Sequence, residues 1–198
     1  RLFRPYRLPQ NRGAVRRSFR HFRRFLQAAA DRGIDVAPLK GAHLLTGVYR
    51  PDEDRGILAD IDFLLKPVDW DRTCSLMEEL GFVRVPVPGR PVTGQRFHEA
   101  GFTLALSGEH RILFEPHRYL IQPERHRIDH EAIWQRSVES TFDGAPCRRL
   151  TVEDHVLHAV LHMAYHVFVE PQRMIRDIEM LVSRGGADLD TVIDRSRE

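Results

Sequence analysis

The chain has 198 residues, of which 42% are hydrophobic and 29% charged, with a formal net charge of +2. That is enough for one generous domain or two small ones around a real hydrophobic core. No apolar run approaches the roughly 20 residues that span a bilayer, Cys74 and Cys147 have no CxxC or Cys/His metal spacing, and no secretory signal is visible, so membrane and disulfide-framework classes are excluded and the expected location is a reducing cytoplasm.

The charge is unevenly spread along the chain. Before Asp31 there are nine arginines (Arg1, Arg4, Arg7, Arg12, Arg16, Arg17, Arg20, Arg23 and Arg24) and no acidic residue. Val15, Phe19, Phe22, Leu26 and Ala29 fall at helical spacing in the same stretch, so the arginines form the solvated face of an amphipathic helix. The same face could serve as an electrostatic patch for RNA or another polyanion. Asp31-Arg32-Gly33 stops that helix, with Gly33 as its C-cap. Ile34 to Leu39 reads as a strand, Lys40-Gly41 as a turn, and Ala42 to Tyr49 as a second helix; Pro51 to Arg55 is a polar loop.

The run Ile57-Leu58-Ala59-Asp60-Ile61-Asp62-Phe63-Leu64-Leu65 follows. In a strand the side chains alternate, so Asp60 and Asp62 project together while Ile61 and Phe63 go the other way. Two carboxylates side by side are costly unless a positive charge lies between them, and a hard divalent cation suits oxygen ligands. A helix from Val68 to Leu80 comes next, closed by Gly81, and then a strand from Phe82 to Val87. Pro86, Pro88, Gly89, Pro91 and Gly94 mark a loop; Phe97–Ala100 and Phe102–Leu106 read as a hairpin about Gly101, and Ser107 to His110 as a turn.

Arg111 to His117 reads as a strand that places Glu115 and His117 on one face, with Pro116 ending it or marking it as an edge. Beyond about Tyr119 the pattern turns helical. Thr151-Val152-Glu153-Asp154 resembles a capping box and leads into a helix with an apolar side at Val156, Leu157, Val160, Leu161 and Ala164; a last helix runs through Met174 to Val182 and ends at Gly185-Gly186. The order of these elements implies fold class α+β: an α+β domain over residues 1–120, followed by a mostly helical C-terminal region over 121–198.

Asp60, Asp62 and Glu115 are the candidate catalytic and metal-ligating residues. Two adjacent strands can bring these carboxylates to one edge of the sheet. Three carboxylates around two magnesium ions suit phosphoryl or nucleotidyl transfer, in which one ion activates an acceptor hydroxyl and the other clamps the triphosphate and its leaving group.

Leu39-Lys40-Gly41-Ala42, Tyr49, Arg55 and Asp60-Ile61-Asp62-Phe63-Leu64-Leu65 together resemble the "LKGA…Y…R…DIDLLV" signature of the uncharacterised nucleotidyltransferase family in the polymerase-β-like superfamily. Leu80-Gly81-Phe82, Phe114-Glu115-Pro116-His117 and Leu150 to Asp154 extend the resemblance to roughly residues 25–182. It implies a minimal nucleotidyltransferase fold, a small mixed sheet flanked by helices, with a C-terminal helical region. On that reading Asp60 and Asp62 bind both magnesium ions, while Glu115 is the third ligand and the base for the acceptor hydroxyl. Lys40 and Gly41 meet the triphosphate at a helix N-terminus, and Arg55 reaches the phosphates from its loop. The superfamily's usual Gly-Ser pair is missing; Lys40, one of two lysines against 28 arginines, replaces the serine contact with a charge.

The implied reaction moves a nucleoside monophosphate from an NTP to a hydroxyl, or to a phosphate, of a small molecule, a peptide or protein, or an RNA end such as that of tRNA, with pyrophosphate leaving. The alternative is an inactive nucleotidyltransferase-like module that binds RNA or protein. His155, His158, His162 and His166 recur along one helix face. They suggest either a zinc site or a helix bridged to the sheet by imidazoles.

Overall fold

The computed structural model describes residues 12–51, 53, 55, 58–85, 99–105, 111–123, 126–165 and 171–197. Arg1, Arg4 and Arg7, the proline- and glycine-marked loop, the turn at Ser107 to His110, and His166 lie outside the described residues. Among the described residues no helix is long and apolar enough to cross a membrane.

A five-stranded mixed sheet forms the centre of the molecule, in the order β1 (Val36–Pro38), β2 (Asp60–Leu65), β5 (Arg111–His117), β4 (Gly101–Ala105), β3 (Val83–Val85). β2 and β5 run parallel, and the other neighbours are antiparallel. Helices α1 (Arg12–Ala30) and α3 (Trp70–Glu79) belong to one side. There Phe22, Phe25, Phe63 and Phe114, all fully buried, meet as a ring cluster, with Phe22 5.6 Å from Phe114 edge-on and Phe25 4.9 Å from Phe63. Of the apolar stripe read from the sequence of α1, Phe22, Leu26 and Ala29 are buried and Val15 and Phe19 partly so; Phe25 is buried with them, and the arginines from Arg12 to Arg24 are exposed. Gly33, at φ +67°, follows α1 as expected.

Helices α2 (Lys40–Gly47), α5 (Val152–Tyr165), α6 (Pro171–Ser183) and α7 (Leu189–Arg195) share a second apolar cluster through Leu44, Val156, Leu181 and Val192. The capping pattern at the start of α5 is present, with the Asp154 N–H donating to Thr151 Oγ1.

Three local expectations are corrected by the structure. β5 is the central strand, so Pro116 neither ends it nor lies at an edge. The missing N–H is tolerated because it points to the β4 side beyond the last ladder pair, Phe102 with Phe114, where the Pro116 carbonyl accepts from Ala100. Gly101 is the first residue of β4 and turns no hairpin; a Cβ there would lie 2.9 Å from the Val85 side chain.

The region after Tyr119 holds, besides α4 (His130–Arg136), a β-hairpin of β6 (Val138–Phe142) and β7 (Ala145–Arg149). Its turn residues Asp143 and Gly144 both have positive φ, the two-residue geometry that suits strand twist. Phe142 and Ala145 enter the aromatic core beneath the sheet, 4.9 Å ring to ring from Phe22. Finally, α5 buries Asp154, His155, Val156 and His158, while Val160 is 42% exposed. The side of that helix carrying His155 and His158 faces inward.

Candidate active site

Strand alternation and register build the site. Ile61, Phe63 and Leu65 pack into the aromatic core, so Asp60 and Asp62 emerge on the opposite face. The parallel pairing sets Asp62 beside Glu115 and Asp60 beside Leu113, which brings the carboxylates of two strands together. His117, two residues after Glu115, joins the same face, and its Nε2 lies 3.0 Å from Asp62 Oδ1. Asp62 is 2% exposed. A ligand atom from each of Asp62, Glu115 and His117 lies within 4.8 Å of the others, a spacing that fits one metal ion.

Lys40 Nζ donates to the same Asp62 Oδ1 at 2.7 Å. Burial by itself would raise the Asp62 pKa, but Lys40 and His117 hold it well below the usual carboxylate range. Its neighbours go the other way. Burial first, then the charges of Asp62 and Asp60, push Glu115 up to about 8; burial and Asp62 push Asp60 up to about 6. Lys40 is kept above its ordinary pKa, because Asp62, Asp60 and Glu115 outweigh the opposing effect of its burial. One ammonium is thus shared among three carboxylates, and the excess negative charge is resisted by protonation. A divalent cation on oxygen ligands with one imidazole fits this donor set and would supply the missing charge.

These groups line a cavity of about 450 Å³. Asp60, Asp62, Glu115, Lys40, Gly41 and Arg55, all singled out in the sequence, meet there. Their contacts differ from expectation in two places. Arg55 is clamped to Asp177 of α6, Nη2 to Oδ2 at 2.5 Å and Nε to Oδ1 at 3.0 Å, with both side chains 8% exposed. The Tyr49 hydroxyl donates to the same carboxylate at 2.9 Å. A Cβ on Gly41 would come within 2.5 Å of Leu58 Cδ1 and 3.0 Å of Arg55 Nη1. The absent side chain of Gly41 therefore makes room for this latch.

The sequence reading missed several groups in the cavity. Glu99 adds a fourth carboxylate, 3.7 Å from His117 Nδ1, and forms an isolated bridge to His117. Arg173 of α6 lines the wall and draws Asp60 back towards ionisation. His43 of α2 stacks on His155 at 3.5 Å between ring centroids, and His158 sits edge-on to His117 at 6.4 Å. The histidines of α5 thus bridge that helix to α2 and to the sheet. Burial and neighbouring charge lower all three of these helical histidines, His43 to about 4, which keeps them neutral near pH 7. Among the described residues the only group with metal-ligand spacing is the one at Asp62, and the histidine stripe does not form another. His117 was signalled by its alternation with Glu115. Glu99 had no local signal at all.

The sequence profile described as "Uncharacterised nucleotidyltransferase" matches residues 7–198. A search of curated proteins finds no match. Solved structures with a similar fold include that of the antibiotic-resistance factor ANT(2'')-Ia in solution, at 14% identity and a TM-score of 0.59, covering 91% of this chain and 90% of that one. ANT(2'')-Ia in complex with adenylyl-2''-tobramycin is similar at 17% identity and a TM-score of 0.56, covering 90% and 94%. An antigenic nucleotidyltransferase-like protein from Paracoccidioides brasiliensis follows at 17% identity and 0.55, covering 83% and 75%.

Proposed function

The chain belongs to the uncharacterised nucleotidyltransferase family, and from that premise we propose a magnesium-dependent enzyme that moves a nucleoside monophosphate from an NTP to an acceptor hydroxyl, with pyrophosphate as the leaving group. The observation that carries the reading is the side-by-side register of Asp62 and Glu115 with Asp60 on the same face of one cavity. When bound, divalent cations would neutralise charge on the triphosphate and ease ionisation of the hydroxyl. Asp60, Asp62 and Glu115 would hold them, with His117 beside Asp62 as a nitrogen donor or an orienting group.

Lys40 and the N-terminal turn of α2 approach the triphosphate side. Glu115, in its ionised form, would receive the acceptor's proton. In-line displacement at phosphorus depends chiefly on placement and charge, which accounts for a site with no nucleophile and base pair of the acyl-transfer kind. Arg55, clamped by Asp177, would act on phosphate only as part of that fixed pair. The acceptor is a small molecule, a peptide or protein, or an RNA end. The adenylyl-2''-tobramycin in complex with ANT(2'')-Ia carries an adenylyl group of this kind.

Incubation of the protein with α-labelled NTPs, magnesium and cell extract tests the reaction. Label should move to one fraction, and Asp60→Ala or Asp62→Ala should reduce transfer by about a thousandfold or more. A second reading, an inactive RNA-binding module, draws on the exposed arginines of α1. Salt-sensitive RNA binding that ignores both aspartate changes, without any labelled product, would favour it.

A further inference from the structure

Lys40 combines an unusual backbone with an unusual partner. Its φ is +42°, one of two positive values among the described residues other than glycine. It opens α2, held in place from both sides: the Leu39 N–H donates to the Asp62 carbonyl at 2.9 Å, and the N–H groups of Ala42 and His43 return to the Leu39 carbonyl. The left-handed conformation is unfavourable for an L residue. That local geometry delivers Nζ onto Asp62 Oδ1 at 2.7 Å, with the side chain 21% exposed. The same oxygen already faces His117 Nε2 at 3.0 Å, and Asp62 belongs with Glu115 and His117 to the group with metal-ligand spacing.

We infer that the Lys40 ammonium is the resident cation of the free protein, occupying the divalent ion's side of the carboxylate cluster and leaving it only when a triphosphate arrives, so that metal and NTP enter together. The inference rests on the nucleotidyltransferase reading and adds to it an order of binding. Two cations competing for the one buried carboxylate of Asp62 repel strongly. A triphosphate beside Lys40 offers its ammonium a denser anion than Asp62 does. The flexible four-carbon stem lets the charge move without disturbing α2. The ammonium would thus guard the free site against stray metal ions and contribute to triphosphate affinity once it has moved.

Manganese titrations by calorimetry test this on wild type, Lys40→Gly and Lys40→Arg, first alone and then with saturating non-hydrolysable ATP and GTP analogues. Lys40→Gly removes the charge at a φ that glycine adopts freely, and thermal melting of each variant checks that the fold is kept. The expected result is opposite signs: Lys40→Gly binds manganese alone about tenfold more tightly or better, yet binds the analogues more weakly. Lys40→Arg, which keeps the charge, stays within about threefold of wild type for manganese alone. If Lys40→Gly binds manganese no more tightly than wild type, while wild type binds it with an analogue, the inference about Lys40 falls and the nucleotidyltransferase reading stands. If wild type binds no manganese even with either analogue, both fall.

Discussion

The two faces of the central sheet are made by the same strands and have opposite chemistry. On the α1 side, Ile61, Phe63, Phe114 and the rings of Phe22 and Phe25 are buried among apolar neighbours. On the α5 side, the residues that alternate with them are Asp60, Asp62, Glu115 and His117. One face is a packed aromatic layer whose contribution grows with area removed from water. The other is a charged cluster held at close quarters against its own repulsion. The comparison teaches a division of labour: α1, α3 and the β6–β7 hairpin supply the stability that lets β2 and β5 carry unfavourable electrostatics on their other side. Stability and function are often separated in this way, with strain concentrated where chemistry is to occur.

The largest effect should come from breaking the packed face. Phe22 is fully buried and meets Phe25, Phe63, Phe114 and Phe142. Phe22→Ala should lower unfolding free energy by about 3–5 kcal/mol, read from urea denaturation. Metal affinity of the fraction that remains folded should stay near that of wild type, because the sheet separates Phe22 from the carboxylates. A loss of metal affinity in the folded fraction would show that the two faces are not independent.

Next in size is the latch that joins the loop before β2 to α6. Asp177→Asn leaves the guanidinium of Arg55 buried beside a neutral amide and loses the charged partner of Tyr49. The expected cost is about 3 kcal/mol, with a smaller loss in the double variant Arg55→Met, Asp177→Leu. If Arg55 is purely a latch, the double variant keeps its NTP affinity; a clear fall in that affinity would give Arg55 the phosphate-contacting role as well.

What was legible in the sequence follows the same division. The period-two pattern of β2 told both faces apart, since Ile61 and Phe63 alternate with Asp60 and Asp62. Glu115 followed from the next acidic strand. The partners of these groups are long-range and had no such signal: Arg55 finds Asp177 across 122 residues, and Lys40 finds Asp62 across the turn that α2 makes. The β6–β7 hairpin was missed although Asp143-Gly144 is a strong turn signal, because Val138 to Phe142 lies between helical segments and its strands carry exposed polar residues. On α5, helical spacing revealed a histidine stripe but could not show that the stripe faces inward. Its burial depends on His43 and His117, residues of α2 and β5 brought up against it by the fold.

The smallest effect sharpens the charged side of the comparison, and its sign is diagnostic. Glu115 has a folded pKa of about 8, raised first by burial and then by Asp62 and Asp60, against an unfolded value near 4.3. The folded state therefore binds this proton more tightly than the unfolded chain does. The corresponding stability is fully present below pH ~4.3 and is lost as pH rises through about 8, opposite to a carboxylate held in an ordinary salt bridge. Glu115→Gln removes the penalty. In EDTA near pH 7 it should be more stable than wild type by about 2 kcal/mol, after allowance for the group's partial exposure. The gap should be absent at pH ~4 and widen towards pH ~8, and saturating magnesium with an NTP analogue should narrow it by stabilising the ionised wild type. The same substitution should abolish transfer, so one side chain would raise the melting temperature and remove the activity together. A Glu115→Gln protein that is less stable than wild type across this range would mean that the carboxylates do not crowd one another, and the charged face would then need no divalent cation to hold it together.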